Sequence, residues 1–310
     1  MGSRASRIAH VVLLSLGICL TLGSVARADL RVVTTTTDLA DLARAVGGEH
    51  VEVESICKGE QDPHYVQARP SYMVKLSRAD LLISVGLDLE VAWLPSLVRG
   101  ARNPAINPGK PGHLEASRAI KPIEVVGGAV DRSKGDIHPR GNPHYWLDPH
   151  NGKAIARLIA ARMKQLDPEH GADYEANLER FIGQLDAAIA RWQRRMAPLR
   201  GKRVVSYHAT FNYFIQRFGL QQSGYVESKP GIPPAPAHLA QLIVQMRKER
   251  VGTILHEAYH DRGASNLVAK RSGAAVLELP TSVGGARGVS SYIALIDHLV
   301  ARTARALGGR

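Results

Sequence analysis

The sequence predicts an α/β protein of two lobes, each with a central parallel sheet flanked by helices, joined by one long helix. Strand and helix patterns alternate in the first half of the chain and again in the last third. Such alternation is typical of parallel sheets. Between the two parts, apolar residues in the segment 174–196 recur at spacings of three and four, which is the period of one amphipathic helix.

In the first half, the β-branched segment LRVVTTTT predicts a strand, and DLADLARAVGG predicts a helix that begins at Asp38 and stops at glycine. HVEVESI alternates apolar and polar residues, as a half-buried strand does. PSYMVKLSRA has proline in its first helical turn, and DLLISVG is typical of a buried strand. The order β-α-β-α follows, and it favours a parallel sheet.

The last third repeats this alternation. Strands are predicted for KRVVSYH, LQQSGYV, VGTILHE and AAVLEL, and helices for FNYFIQRFG, HLAQLIVQMRKER, GASNLVAKRSG and VSSYIALIDHLVARTARAL. We therefore expect an N-terminal lobe over residues 29–165, a linking helix over 166–199 and a C-terminal lobe over 200–310.

The first 28 residues predict a cleaved export signal. Two arginines precede an apolar run that is too short for a comfortable membrane span, and Ala26-Arg27-Ala28 matches a cleavage site. We therefore expect a periplasmic protein. Cys19 follows the bulky Ile18, where a lipoprotein signal has a small residue, so we expect no lipid anchor.

Charge and cysteine content narrow the function classes. The chain has a formal net charge of +12, and three basic residues of residues 1–28 leave about +9 for the remainder. The basic residues are scattered, with no run longer than RKER, so a solvated surface is favoured over nucleic-acid binding. Cys57 is the one cysteine after the signal, which excludes an intramolecular disulfide and predicts a small buried side chain.

The segment HEAYH, from His256 to His260, matches the H-E-x-x-H signature of zinc proteases. That signature works on a helix, where residues four apart share a face. Here it follows the strand pattern VGTIL, and on a strand the two histidines would lie about 13 Å apart along the chain. We therefore expect no protease. Glu257 remains of interest, because ligands bind at the carboxyl ends of parallel strands.

Three other histidines stand in similar settings, each beside proline, tyrosine or tryptophan at a loop or strand end. They are His64 in DPHYVQARPS, His144 in GNPHYWLDP and His208 in VVSYHATF. Any one of them alone would more often be an ordinary histidine with its hydrogen bonds satisfied than a metal ligand. Three such histidines spread over both lobes of an exported protein indicate a metal site.

These fragments resemble the periplasmic metal-binding proteins of zinc and manganese ABC importers. The resemblance rests on the D-P-H…P-S run, the N-P-H-x-W-x-D-P run and the Y-H-x-x-F-x-Y-F-x-x-x-F-G-L run, and it covers nearly the whole chain after the signal. It implies that His64 and His144 from the first lobe and His208 from the second bind metal in the cleft. It also implies a long helix that limits the hinge, a membrane permease as partner, and no enzymatic activity. We expect a monomer.

The donor types favour Zn²⁺, although Mn²⁺ stays possible. Neutral imidazoles are borderline ligands that suit zinc. In manganese- and iron-type members the third position is commonly a carboxylate, and here it is His208. A manganese- or iron-specific protein of the same family is the alternative. A zinc protease that uses HEAYH and an adhesin on the same fold are further alternatives, the last without any positive feature.

The identity of the fourth ligand is undecided from the sequence. Members of the family often supply an aspartate after the last strand, where this chain has Thr281 in LPTSVGG. We predict Glu257 at this position, with water, His260 or Glu278 as alternatives.

Several neighbours of the three histidines are predicted to support them. We expect Asp62 and Asp148 to orient the site, and the pair Tyr145-Trp146 to pack around His144. His138 in GDIHPRG is expected to be a surface residue. The alternative is that it captures or exchanges metal weakly.

Overall fold

The structure, a computed structural model, describes residues 29–126 and 138–308. Its first sheet is parallel throughout and has the strand order β2-β1-β3-β4. The strands of this lobe are β1 (Leu30–Thr34), β2 (Val51–Ser55), β3 (Leu81–Ser84) and β4 (His113–Glu115); its helices are α1 (Thr37–Gly47), α2 (Pro70–Arg78), α3 (Leu94–Ala101) and α4 (Pro149–Leu166).

The second lobe repeats this architecture, with a parallel sheet in the order β6-β5-β7-β8. Its strands are β5 (Arg203–Ser206), β6 (Gln221–Tyr225), β7 (Thr253–Glu257) and β8 (Ala275–Leu279); its helices are α6 (Asn212–Phe218), α7 (Pro236–Glu249), α8 (Gly263–Ser272) and α9 (Tyr292–Gly308). The two sheets confirm the predicted fold class.

A helix of 26 residues, α5 (Gly171–Met196), links the lobes. It packs on α1 and α4 of the first lobe and on α9 of the second. Its buried face includes Leu178, Leu185 and Trp192, at the predicted spacing. These residues belong to one apolar cluster that continues into both lobes, so the lobes share a core. The exact division at residues 165 and 199 stays a prediction.

The elements that the sequence analysis passed over are short or lack a clear pattern. The strand β4 has three residues, and α3 has eight. The helix α4 begins after Asp148, whose side chain accepts a hydrogen bond from the backbone N–H of His150. Proline at its first position fits a helix start, because the missing N–H needs no partner there.

Direct contacts hold the loop after β8 against the first lobe. The Thr37 hydroxyl donates to the Val283 carbonyl over 2.7 Å, and the Val283 N–H donates to the Asp38 carboxylate over 3.0 Å. Gly59 of the first lobe lies so close that a Cβ there would stand 2.1 Å from the Val283 carbonyl oxygen. The two lobes are therefore tied by these contacts as well as through α5.

The predicted signal over residues 1–28, with Cys19, lies outside the described residues. Among the helices within 29–126 and 138–308, none is both long and apolar enough to cross a membrane. Cys57 is a free, buried thiol in an apolar cluster, and burial raises its pKa, as the prediction of a small core residue requires.

Replacing Asp38 by asparagine tests the tie between the lobes through its pH dependence. Burial raises the pKa of Asp38 from 3.8 to about 7. The folded state therefore binds a proton that the unfolded state has lost between these values, and stability falls as pH rises through this window. We expect the free energy of unfolding of the wild type, relative to Asp38→Asn, to fall by up to about 4 kcal/mol between pH 4 and pH 7.

Urea unfolding of the metal-free proteins at a series of pH values measures this difference. A difference that stays constant across the window, or that grows in favour of the wild type, would show that Asp38 is not held protonated by burial.

Candidate metal centre

The fold brings three predicted histidines together at the cleft between the lobes. His64 lies in the loop after β2, His144 lies just before α4, and His208 follows β5. One ring nitrogen from each lies within 4.8 Å of the other two, and within the described ranges this is the one such group of possible metal donors. The residues are 8%, 1% and 6% exposed, so the group is buried.

Each of the three rings uses its Nδ1 for a hydrogen bond with a side-chain oxygen. An Nδ1–H that donates in this way leaves Nε2 with a free lone pair, and it fixes the ring orientation. The Nε2 atom of His144 is buried without a hydrogen-bond partner among the described residues. The pairs are His64 with Asp62 at 2.7 Å, His144 with Asn142 at 2.9 Å, and His208 with Glu227 at 2.7 Å.

Two of these pairs arise from the same local sequence. In Asp62-Pro63-His64, one carboxylate oxygen accepts both the backbone N–H and the ring Nδ1 of His64. The amide oxygen of Asn142, two residues before His144, makes the same two contacts. This is the turn that Asp and Asn form with the residue two positions later, and the intervening proline restricts it further. The prediction that Asp62 supports the site is consistent with this geometry.

The partner of His208 was missed by the sequence analysis. Glu227 follows β6, and its backbone N–H donates to the Tyr207 carbonyl, which extends the pairing of β6 with β5 beyond the strand ends. This places the carboxylate beside His208, while its other oxygen accepts the Gly231 N–H. A glutamate at the carboxyl end of the strand adjacent to a candidate ligand was the signal that could have identified it.

The electrostatics of the group suit a dication. Burial lowers the pKa of His144 well below its usual value, and the neighbouring histidines lower it further, so this ring is neutral at pH 7. The pKa of Asp62 is lowered, because the hydrogen bonds and charge of His64 outweigh the effect of burial. The carboxylates of Asp62 and Glu227 can thus balance the two charges of a metal ion bound by neutral imidazoles.

Glu257 lies at the end of β7, as predicted, but its carboxylate does not join the group within 4.8 Å. Neither oxygen has a hydrogen-bond partner of normal geometry among the described residues, and burial raises its pKa to about 8. Its role as a ligand stays a prediction.

Thr281 is also buried, and its carbonyl accepts the indole N–H of Trp146. Glu278, an alternative, is instead exposed and paired with Arg262.

The HEAYH segment does not form a helical zinc clamp. His256 and Glu257 are the last two residues of β7, so their side chains point to opposite faces of the sheet. Both ring nitrogens of His256 are engaged, with the Ser265 hydroxyl at 3.0 Å and the His260 carbonyl at 3.1 Å. His260 itself borders a small cavity that Asp62 and His64 also line.

The prediction that His138 is a surface histidine was wrong. The residue is half-buried, and its Nε2 lies 3.3 Å from Nε2 of His64. It was misplaced because the sequence around it, GDIHPRG, has only polar and turn-forming neighbours. Burial lowers its pKa to about 4, and the adjacent His64 and His208 lower it further.

Of the other residues predicted to support the site, Tyr145 and Trp146 pack near it, whereas Asp148 contacts the second lobe. Trp146 packs against His144, with ring centroids 5.5 Å apart, and Tyr145 donates its hydroxyl to the Val85 carbonyl. Asp148 accepts two hydrogen bonds from the guanidinium of Arg217, at 2.7 and 2.6 Å. Asp148 therefore joins the two lobes beside the site, and its carboxylate serves this pair and the start of α4 rather than the rings of the three site histidines.

The chain is similar to known metal-transport proteins. Residues 32–306 match the family model described as zinc-uptake complex component A, periplasmic. The manganese ABC transporter substrate-binding lipoprotein PsaA of Streptococcus pneumoniae is 28% identical, over 78% of this chain and 76% of that protein. The iron ABC transporter substrate-binding lipoprotein MtsA of Streptococcus pyogenes serotype M1 is 27% identical, over 88% of this chain and 87% of that protein.

Solved structures show the same fold. A crystal structure of ZnuA superposes with a TM-score of 0.75 at 24% identity, covering 90% of this chain and 99% of that one. The Mn-bound periplasmic metal-binding protein from Candidatus Liberibacter asiaticus gives a TM-score of 0.73 at 19% identity, with 88% and 98% covered.

Removing the carboxylate of Glu227 tests how far the site depends on the orientation of His208. We expect Glu227→Ala to lower metal affinity by about 10–100-fold, since the ring loses the acceptor that fixes its tautomer. Glu227→Gln keeps an oxygen acceptor and should lose less. Calorimetric titration with Zn²⁺ measures both, and Glu278→Gln is the control because that exposed carboxylate pairs with Arg262 instead. Unchanged affinity in Glu227→Ala would contradict the orienting role.

Proposed function

Because this chain belongs to the family of periplasmic zinc-uptake components, we propose that it captures Zn²⁺ in the periplasm and delivers it to the membrane permease of an ABC importer. The chain is the metal-binding, substrate-binding component of a metal importer and not an enzyme. The ion is cargo, so the site has to hold it tightly and also release it.

The convergence of one ring nitrogen from each of three histidines, from both lobes, supports this proposal most strongly. His64, His144 and His208 each have an oriented ring whose Nδ1 is already hydrogen-bonded. Zinc is bound by such nitrogens at roughly 2.0–2.1 Å in a tetrahedral arrangement. Ligands from both lobes would make the bound ion an additional tie across the cleft.

The nitrogen donors favour zinc over the manganese and iron named for two relatives. PsaA is described as a manganese protein and MtsA as an iron protein. Manganese prefers carboxylate, carbonyl and water oxygens, whereas imidazole suits zinc. The group within 4.8 Å consists of histidines alone, with the carboxylates of Asp62 and Glu227 behind the rings. A manganese- or iron-importing role is the second candidate, and the names of these relatives favour it.

Release to the permease requires movement, and the contacts between the lobes restrict it. The shared core, the Asp38–Val283 hydrogen bond and the Asp148–Arg217 pair all oppose a wide opening of the cleft. We infer that the ion enters and leaves through small movements of the loops that carry the histidines.

Attachment to the membrane is a separate question. The two named relatives are lipoproteins. Our expectation of an unanchored protein with a cleaved signal rests on Ile18 before Cys19 and stays a prediction.

Substitution of His144 or His208 by alanine tests the ligand assignment. Each change removes one donor and leaves an open coordination position, so we expect zinc affinity to fall by more than about 100-fold while the fold persists. Calorimetric titration measures the affinity, and circular dichroism checks the fold. His298→Ala is the control, since this histidine lies on α9. Wild-type affinity in both site variants would overturn the assignment.

A growth experiment distinguishes zinc from the other metals, because tight zinc binding in vitro is expected for most nitrogen sites. We expect a strain that lacks this protein to stop growing at a chelator concentration that the parent tolerates. Added Zn²⁺ should restore growth, and added Mn²⁺ or Fe²⁺ should not. A plasmid that encodes the His208→Ala variant should fail to complement. Rescue by Mn²⁺ or Fe²⁺ alone would favour the second candidate function.

A further inference from the structure

We propose that His138 is the fourth nitrogen ligand of the transported ion, which would make the site a four-histidine site. This inference rests on the proposed function, because it concerns the same ion. It is carried by the contact between His138 and His64, whose Nε2 atoms lie 3.3 Å apart.

The distance between these two nitrogens is the one that a tetrahedral zinc ion requires. With metal–nitrogen bonds of roughly 2.0–2.1 Å, two ligand atoms at the tetrahedral angle lie about 3.3–3.4 Å apart. Without the ion, the same spacing is a hydrogen bond. Because Nδ1 of His64 donates to Asp62, Nε2 of His64 is the acceptor and Nε2 of His138 carries the proton.

Binding of a metal ion by His138 therefore requires its other tautomer. The proton on Nε2 leaves to solvent and Nδ1 takes one up, so the ring stays neutral and no net proton is released. In the hydrogen-bonded tautomer, Nδ1 is buried without a partner of normal geometry among the described residues. The Leu87 backbone contributes to raising the pKa of His138, so its carbonyl is a candidate acceptor for Nδ1–H in the metal-bound tautomer. A metal-binding histidine normally donates its other ring N–H to such an acceptor.

The backbone around Leu87 has an unusual conformation. Gly86, Leu87 and Asp88 follow β3 with φ values of 82°, 52° and 66°. Left-handed backbone is disfavoured for leucine, and such conformations persist only where the surroundings impose them. Asp88, in turn, accepts two hydrogen bonds from Arg140, at 3.4 and 3.0 Å. The segment that carries His138 is thus attached to the turn that offers the Leu87 carbonyl.

His138 also faces the other two site histidines across a cavity of about 140 Å³, which His144 and His208 line with it. His138 does not belong to the group whose donors all lie within 4.8 Å. Its ring therefore has to move toward His144 and His208 when the ion binds. The cavity provides the space for this movement.

Glu257 is less well placed for the fourth position. It too lies outside the group whose donors are all within 4.8 Å of one another, and among the described residues neither of its oxygens makes a hydrogen bond with a ring of His64, His144 or His208. His138, in contrast, already touches the ligand atom of His64. Four nitrogen donors would favour zinc over manganese more strongly than three, so His138 would also set metal preference.

The test counts the imidazole nitrogens on the ion and measures affinity in the same proteins. Zinc-loaded full-length protein is labelled with ¹⁵N-histidine, and NMR identifies the nitrogens whose shifts show zinc coordination. We expect four in the wild type and three in His138→Ala, with a loss of zinc affinity of about 10–100-fold by calorimetry. His298→Ala should keep four nitrogens and wild-type affinity. Equal thermal midpoints of the metal-free proteins show that His138→Ala folds.

Three coordinated nitrogens in the wild type overturn the proposal, whether or not His138→Ala weakens binding, because a weaker site with an unchanged count would mean an indirect role. A loss of zinc affinity in Glu257→Gln, together with three coordinated nitrogens in the wild type, would assign the fourth position to Glu257 instead. Failure of the proposed function looks different: His144→Ala and His208→Ala would then bind zinc as the wild type does.

Discussion

The site depends on one constraint, which is that the Nδ1 atom of each histidine is already hydrogen-bonded to an oxygen. Asp62, Asn142 and Glu227 supply these acceptors at 2.7–2.9 Å. A ring held in this way has a fixed tautomer and presents Nε2 with a free lone pair. Because all three rings obey the same constraint, Nε2 is in each case the nitrogen left to bind a metal ion, and the three residues are buried together.

The fold supports this arrangement at two levels. Locally, the turns Asp62-Pro63-His64 and Asn142-Pro143-His144 each fix a backbone and a ring with one side chain. Globally, parallel strands direct their carboxyl ends to a common edge, where His208 and Glu227 follow β5 and β6. The shared apolar core and α5 then fix the position of one lobe's edge relative to the other.

The sequence was sufficient for features that depend on local patterns. Alternating strands and helices, the amphipathic period of α5 and the placement of His64 and His144 outside regular strands and helices are all short-range signals, and the structure contains each of them. The contacts of Glu227 and His138 with the site were not predicted, because their partners are distant in the sequence. Glu227 is 19 residues from His208, and His138 is 74 residues from His64, so nothing in their own neighbourhoods indicates the contact. Glu257 was located correctly on β7, but burial and not the sequence decides its protonation.

The central claim is that the ion is held by the Nε2 atoms of histidines from both lobes. A crystal structure of the zinc-loaded protein, with anomalous scattering measured at the zinc edge, tests it most directly. We expect one strong anomalous peak at roughly 2.0–2.1 Å from Nε2 of His64, His144 and His208. A peak elsewhere in the molecule, or an ion bound through Nδ1 of these rings, would contradict the account.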